Sequence, residues 1–167
     1  MKNNAQRLEE IHTSGVDWKT RTIWIIGLLT EEKALQYLPA LKMMDETKGT
    51  INIKISSRGG DENGGFAIFD TIRSLQNKVV TYGYGGVYSI AALIFQAGST
   101  RMLAPNADLM MHNGSIMMDS GDIATDSIQK IASEAARNNA RYYQTISRAS
   151  LVDVDKIQAW SVKEKYF

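Results

Sequence analysis

The stretch "GGVYSIAALIFQAG" (85–98) sets one serine between a glycine pair and an apolar run. Ser89 can do one of two things there. As a helix N-cap, its hydroxyl accepts a hydrogen bond from a first-turn N–H. As a nucleophile, it attacks a carbonyl beside amides and a positive potential that suit an oxyanion. Gly85 and Gly86 permit a tight, close-packed turn just ahead of it. The arrangement is related to a nucleophile elbow, although "GGVYSIA" does not fit G-x-S-x-G. Such a serine needs a base, and the chain holds two histidines. His12 lies in the polar stretch "RLEEIHTSG" and reads as a solvated side chain. His112 closes the apolar run "DLMM", and a strand end is a rigid place from which an imidazole can act as general base. The bland alternative is a structural histidine bonding a carbonyl. In "SSRGGD" (56–61) a paired glycine can turn backbone N–H groups toward a ligand, or simply make a tight strand-to-helix turn. It is no phosphate cradle: neither G-x-x-x-x-G-K-[ST] nor G-x-G-x-x-G is present, and Asp61 and Glu62 repel phosphate.

Composition removes several other chemistries. The chain has no cysteine, which excludes disulfides, thiol catalysis and cysteine-ligated metal. One histidine at the site, without E-x-x-H-type spacing, argues against catalytic zinc, and no cofactor is called for. A formal charge of +1 gives no electrostatic reason to expect a nucleic acid or a membrane surface as partner. "MKNNAQRLEEIHTSG" lacks the apolar core of a secretory signal, and no apolar run reaches about 18 residues. The expectation is a cytoplasmic protein of one domain, since 167 residues at 44% apolar content can bury a substantial core.

The elements that must position these residues alternate between strand and helix. "RTIWIIGLL" (21–29) is a β-branched and aromatic run and predicts a buried strand. Thr30 caps the next helix, with Glu31 and Glu32 in its first turn. Leu35, Leu38, Leu41 and Met44 give that helix its spacing, and Pro39 should kink or interrupt it. "INIKI" (51–55) alternates as a strand into the loop "SSRGGDENGG", and "FAIFDTIRSL" (66–75) is helical. The unit then repeats: "VVTYG" (79–83) is a strand, "GG" a turn, and "SIAALIFQAG" (89–98) a buried helix closed by Gly98. Two short strands flank Pro105-Asn106. Asp122 to about Arg148 predicts a long helix striped by Ile128, Ile131, Ala135, Tyr142 and Ile146, followed by a helical piece from Val154 to Trp160. Alternation of this kind gives βαβ crossovers and a mainly parallel sheet. The ending "WSVKEKYF" carries no evident closing strand, so the C-terminal end reads as short or as pairing with another subunit.

Taken in order, these motifs resemble the proteolytic subunit of the Clp protease, the ClpP family. "IKISSRGGDENGGFAIFDTI" is similar to that family's strand, Ser-Pro-Gly-Gly loop and following helix. "GYGGVYSIAALIFQAGSTRMLAPNADLMMH" is similar to its nucleophile segment, Ala-Gly, Pro-Asn and the strand ending in Met-x-His. The similarity covers roughly residues 18 to 167. It implies an α/β fold of the ClpP/crotonase-like kind, a repeated β-β-α superhelix with a protruding handle helix at about 113–150, preceded by an N-terminal axial segment, 1–17. It further implies Ser89 as nucleophile, His112 as general base, and the Gly60 and Ile90 N–H groups as the oxyanion hole of a serine endopeptidase. The implied assembly is a homo-oligomer: a heptameric ring, two of them stacked as a tetradecamer, fed with unfolded polypeptide by an AAA+ unfoldase that uses the ATP.

The sequence also departs from that family. The aspartate that orients the histidine aligns with Trp160, or with Ser161 after a one-residue slip, and neither is acidic. Glu164, Asp153 and Asp155 are the nearby carboxylates, each readable as a solvated helix charge. Loss of an orienting aspartate costs a serine-protease triad about four orders of magnitude in rate. Arg58 replaces the loop proline, Asp61 and Glu62 replace apolar residues, and Asn113-Gly114 stands for Gln-Pro. One alternative is a weak or inactive ring subunit with a structural or regulatory role. A more distant one is a crotonase-type acyl-CoA enzyme, which needs no Ser89–His112 pair.

Overall fold

A computed structural model describes residues 3–114 and 125–167. In chain order the elements are α1 (Asn4–Ser14), β1 (Val16–Asp17), β2 (Thr22–Leu29), α2 (Glu31–Asp45), β3 (Ile51–Gly60), α3 (Glu62–Ser74), β4 (Val79–Tyr88), α4 (Ile90–Gln96), β5 (Thr100–Leu103), β6 (Asp108–Met111), α5 (Thr125–Ser150), α6 (Val154–Val162) and β7 (Lys165–Tyr166). The α/β class holds: the strands form a seven-stranded sheet in the order β1-β2-β3-β4-β6-β7, with β5 also on β4. The pairs β2–β3, β3–β4, β4–β5 and β4–β6 are parallel. Two compact units make up the chain, residues 1–110 with 166–167, and residues 111–165.

In the first unit, β-branched residues alternate along β3, so Ile51, Ile53 and Ile55 are buried while Asn52, Lys54 and Ser56 are half-exposed. Period-2 alternation of this kind marks a sheet with one face in the core. The covered face meets Ala34, Leu41, Phe66, Ile68, Leu93 and Ile94 of α2, α3 and α4, all buried. On the other face the Lys54 ammonium lies 4.5 Å from the centre of the Trp24 ring. The N-terminal segment carries α1, capped by Asn3 and Gln6 in a reciprocal capping box. Arg7 of this helix donates to both carboxylate oxygens of buried Asp17. That hydrogen bonding outweighs the burial and holds the Asp17 carboxyl at about 2.

Several expectations need correction. Pro39 neither kinks nor stops α2, which is continuous over Glu31–Asp45; the proline removes only one N–H from the ladder. The buried stripe of that helix is Ala34, Tyr37, Ala40, Leu41 and Met44, while Leu35 is 60% exposed. The Tyr37 hydroxyl fixes this rotation by donating to the Trp24 carbonyl at 3.0 Å. "SSRGG" is not a loop, because β3 extends through Gly60. Gly85-Gly86 is not a turn either: β4 passes through it to Tyr88. Gly85, at φ +56°, absorbs a bulge there, and pairing with β3 resumes at Ser57↔Val87 after Ile55↔Gly83.

The final residues do form a strand. Leu109 and Phe167 exchange both backbone hydrogen bonds, at 3.2 and 2.9 Å, which seats β7 on β6. In the second unit α5 spans Thr125–Ser150, and the expected start at Asp122 lies outside the described residues. Tyr142 and Ile146 are buried as expected, but Ile128 is 48% exposed and Ile131 and Ala135 are half-exposed. The stripe is covered within the chain over its C-terminal half only. Among the described residues, no helix is long and apolar enough to cross a membrane.

Candidate active site

Ser89 stands at the junction of β4 and α4 with φ +57° and ψ −129°. Few non-glycine residues adopt a positive φ, and holding one there costs on the order of 1–3 kcal/mol. The side chain makes no capping bond to α4, so the bland reading of this serine as an N-cap fails. The junction is held by the backbone instead. The Ser89 N–H donates to the Met110 carbonyl at 3.0 Å, and the Ser89 carbonyl accepts from the Ala92 N–H at 2.9 Å. Behind the junction every residue of α4 is buried, which gives the hydroxyl a rigid base.

The glycine pair at the end of β3 lies against this serine. A Cβ on Gly59, at φ +97°, would sit 2.7 Å from the Ser89 Cβ and 3.2 Å from its Oγ. A Cβ on Gly60, at φ +143°, would sit 2.0 Å from the Leu29 carbonyl oxygen. Both positions therefore exclude any side chain, one because of the serine and the other because of β2. Ser57 adds an internal brace, its hydroxyl accepting from the Gly59 N–H at 3.0 Å. Asp61 then caps α3 by accepting from the Gly64 N–H at 2.6 Å. Farther along α3, a Cβ on Gly65 would fall 2.1 Å from Ile90 Cγ1. That missing side chain is what lets α3 seat against the first residue of α4.

Ser89, Gly59, Gly60 and Ile90 thus come together in the first unit. Gly59, Gly65 and the Met110 carbonyl were not singled out from sequence. The paired glycines in "RGG" and "NGG" were the visible signal for two of them, and the carbonyl had none.

His112 belongs to the second unit, half-buried directly after β6. The residues that follow it are tied to α5. Tyr143 donates its hydroxyl to Asn113 Oδ1, and the Gly114 N–H donates to Asn139 Oδ1 at 2.9 Å. Trp160 and Ser161, the positions aligned with the family's aspartate, lie in α6 of the same unit. The Lys165 ammonium sits 5.0 Å from the centre of the Trp160 ring. Ser161 is buried, and its hydroxyl has no hydrogen-bond partner among the described residues. Asp153 is engaged as the cap of α6, accepting from the Asp155 N–H at 2.9 Å, and Asp155 and Glu164 are exposed.

Ser89, strained and packed against Gly59, stands where parallel strands reach their carboxyl ends, the usual place for a site in such sheets. Residues 6–167 match the Clp protease family model, and the chain belongs to that family. Membership supports a peptidase role. Among curated relatives, the ATP-dependent Clp protease proteolytic subunit 1 of Leifsonia xyli subsp. xyli is 28% identical over 89% of this chain and 76% of its own length. Proteolytic subunit 3 of Rhizobium meliloti is 32% identical over 84% of this chain and 72% of its own. Proteolytic subunit 2 of Borreliella burgdorferi is 38% identical, over 56% of this chain and half of its own length.

Proposed function

We propose that this chain is a serine endopeptidase subunit acting through an acyl-enzyme. His112 removes the proton from the Ser89 hydroxyl as Oγ attacks the carbonyl carbon of a peptide bond. The Gly60 and Ile90 N–H groups hold the oxyanion. As the C–N bond breaks, His112 returns the proton to the leaving amine, and water then hydrolyses the ester through the same base. The observation that carries this reading is the Ser89 backbone, held at φ +57° with its hydroxyl kept off the helix it precedes. Strain of that sort is retained where the site needs it. His112 follows by two positions the residue whose carbonyl accepts from the Ser89 N–H, Met110.

In the proposed assembly the subunits close into stacked heptameric rings, so the sites face an enclosed chamber served by an AAA+ unfoldase. Exposed Leu8 and Ile26 line an apolar groove of about 450 Å³ in the first unit, and the α5 stripe at Ile128 is uncovered. Surfaces of this kind favour association. Treatment of the assembled protein with a fluorophosphonate should label Ser89, and Ser89→Ala should abolish both labelling and peptide hydrolysis. An unlabelled Ser89 in a closed ring would sink this reading. It would leave the second one, a weak or inactive ring subunit, which the non-acidic Trp160 and Ser161 favour.

A further inference from the structure

The exposed rim of the serine site differs in charge from an ordinary apolar peptide cleft, and one residue on it is uncommitted. Alternation along β3 buries Ser57 and Gly59 and exposes Arg58, so the guanidinium leaves on the face opposite the one that meets Ser89. Asp61 is spent on the Gly64 N–H. Glu62 is different: it is half-buried, and no hydrogen bond or ion pair engages its carboxylate among the described residues. It opens α3, three residues before Gly65 and four before buried Phe66. Positions i, i+3 and i+4 share one helix face, and on this face Gly65 meets Ile90, the residue after the nucleophile. Helical side chains lean toward the N-terminus, which carries the Glu62 carboxylate back toward the Gly59-Gly60 end of β3, where Gly59 meets Ser89.

We infer that Glu62 selects substrates with a lysine or arginine as the residue whose carbonyl Ser89 attacks. This rests on the proposed peptidase reading and names its substrate class. With the scissile carbonyl fixed between Ser89 and the Gly60 amide, the side chain on its acyl side lies within reach of the first turn of α3. An unpaired carboxylate there is satisfied by a cation and repels an acid.

The test uses the full assembled chain and three peptidyl diphenyl phosphonates, with lysine, leucine or glutamate on the phosphorus. Rates of Ser89 modification are read by mass spectrometry. The lysine probe should react about three- to fivefold faster than the leucine probe, the range of a partly exposed charge pair, and the glutamate probe slowest. Glu62→Gln should bring the lysine-to-leucine ratio to about one, and Glu62→Lys should favour the glutamate probe, as expected of such charge pairs. Asp70→Asn, exposed farther along α3, should keep the native ratio. A native ratio at or below one, or a ratio unmoved by Glu62→Gln, overturns the inference while a small fluorophosphonate still labels Ser89. If that reagent also fails, the peptidase reading falls and the inference with it.

Discussion

The two ends of the parallel sheet are built on opposite principles. Where β2, β3 and β4 begin, charged and amide side chains stitch the connections. The Arg21 guanidinium donates to Thr47 Oγ1 at 2.7 Å and to the carbonyls of Met44, Thr47, Gly49 and Thr50 at 2.5 to 3.4 Å. The Asp45 carboxylate accepts from the Gln76 and Asn77 N–H groups and from Asn77 Nδ2, at 2.9 to 3.1 Å. Where the same strands finish, the fit is made by absent side chains. Gly59 and Gly60 touch Ser89 and Leu29 through bare backbone, and the serine between them is strained. One end is held by side-chain hydrogen bonds, and the other by close backbone approach. The stitched end is thereby separated from the proposed site along a single set of strands, the arrangement of parallel sheets whose sites lie at the carboxyl ends.

The sharpest way to break this contrast is to put a side chain into the glycine end. Gly59→Ala drives a methyl to 2.7 Å from the Ser89 Cβ. With Ser89 displaced from its proposed role, kcat/KM should fall about a hundredfold, with far-ultraviolet circular dichroism unchanged. Retained turnover would mean that Ser89 is not the reacting group. At the stitched end, Arg21→Ala should lower stability by about 2–3 kcal/mol, roughly 4–12 °C in Tm. Turnover per folded subunit should stay within about twofold, as usual for a substitution remote from the site.

The smallest effect is one of pH. Hydrogen bonds from the Gln76 and Asn77 amides hold the Asp45 carboxyl below its usual range, and Arg7 holds Asp17 at about 2. Both carboxyls are depressed in the folded state, so their contribution is present above about pH 4 and is lost as pH falls toward 2. Thermal melts between pH 6 and 2.5 should show that loss. Asp45→Asn should cost about 1 kcal/mol at neutral pH and flatten the acid slope. An unchanged slope would mean that Asp45 pairs equally well in the unfolded chain.

The sequence made the glycine end more legible than the stitched one. Local chemistry announced Ser89, because glycines before an apolar run leave few roles for a hydroxyl. It also announced β3, whose isoleucines alternate. The Arg21 cluster was invisible, since all but one of its acceptors are main-chain carbonyls that carry no residue signature. The rotation of α2 was misread for a related reason: the Leu35 spacing looked apolar, but one hydroxyl bond from Tyr37 to a distant carbonyl chose another face. Gly85-Gly86 predicts a turn because paired glycines usually are one. Only the partner strand shows that they form a bulge, and pairing partners are nonlocal.

The aromatic contact beside Ser89 reaches a long way. Tyr88, the residue before Ser89, meets Tyr166 edge to face with ring centres 5.8 Å apart. The next residue, Phe167, is bonded to Leu109, one position from the carbonyl that anchors the serine amide. Substitutions at Tyr166 and Phe167 should therefore be felt at Ser89, because the segment that carries them is tied to both Tyr88 and Leu109.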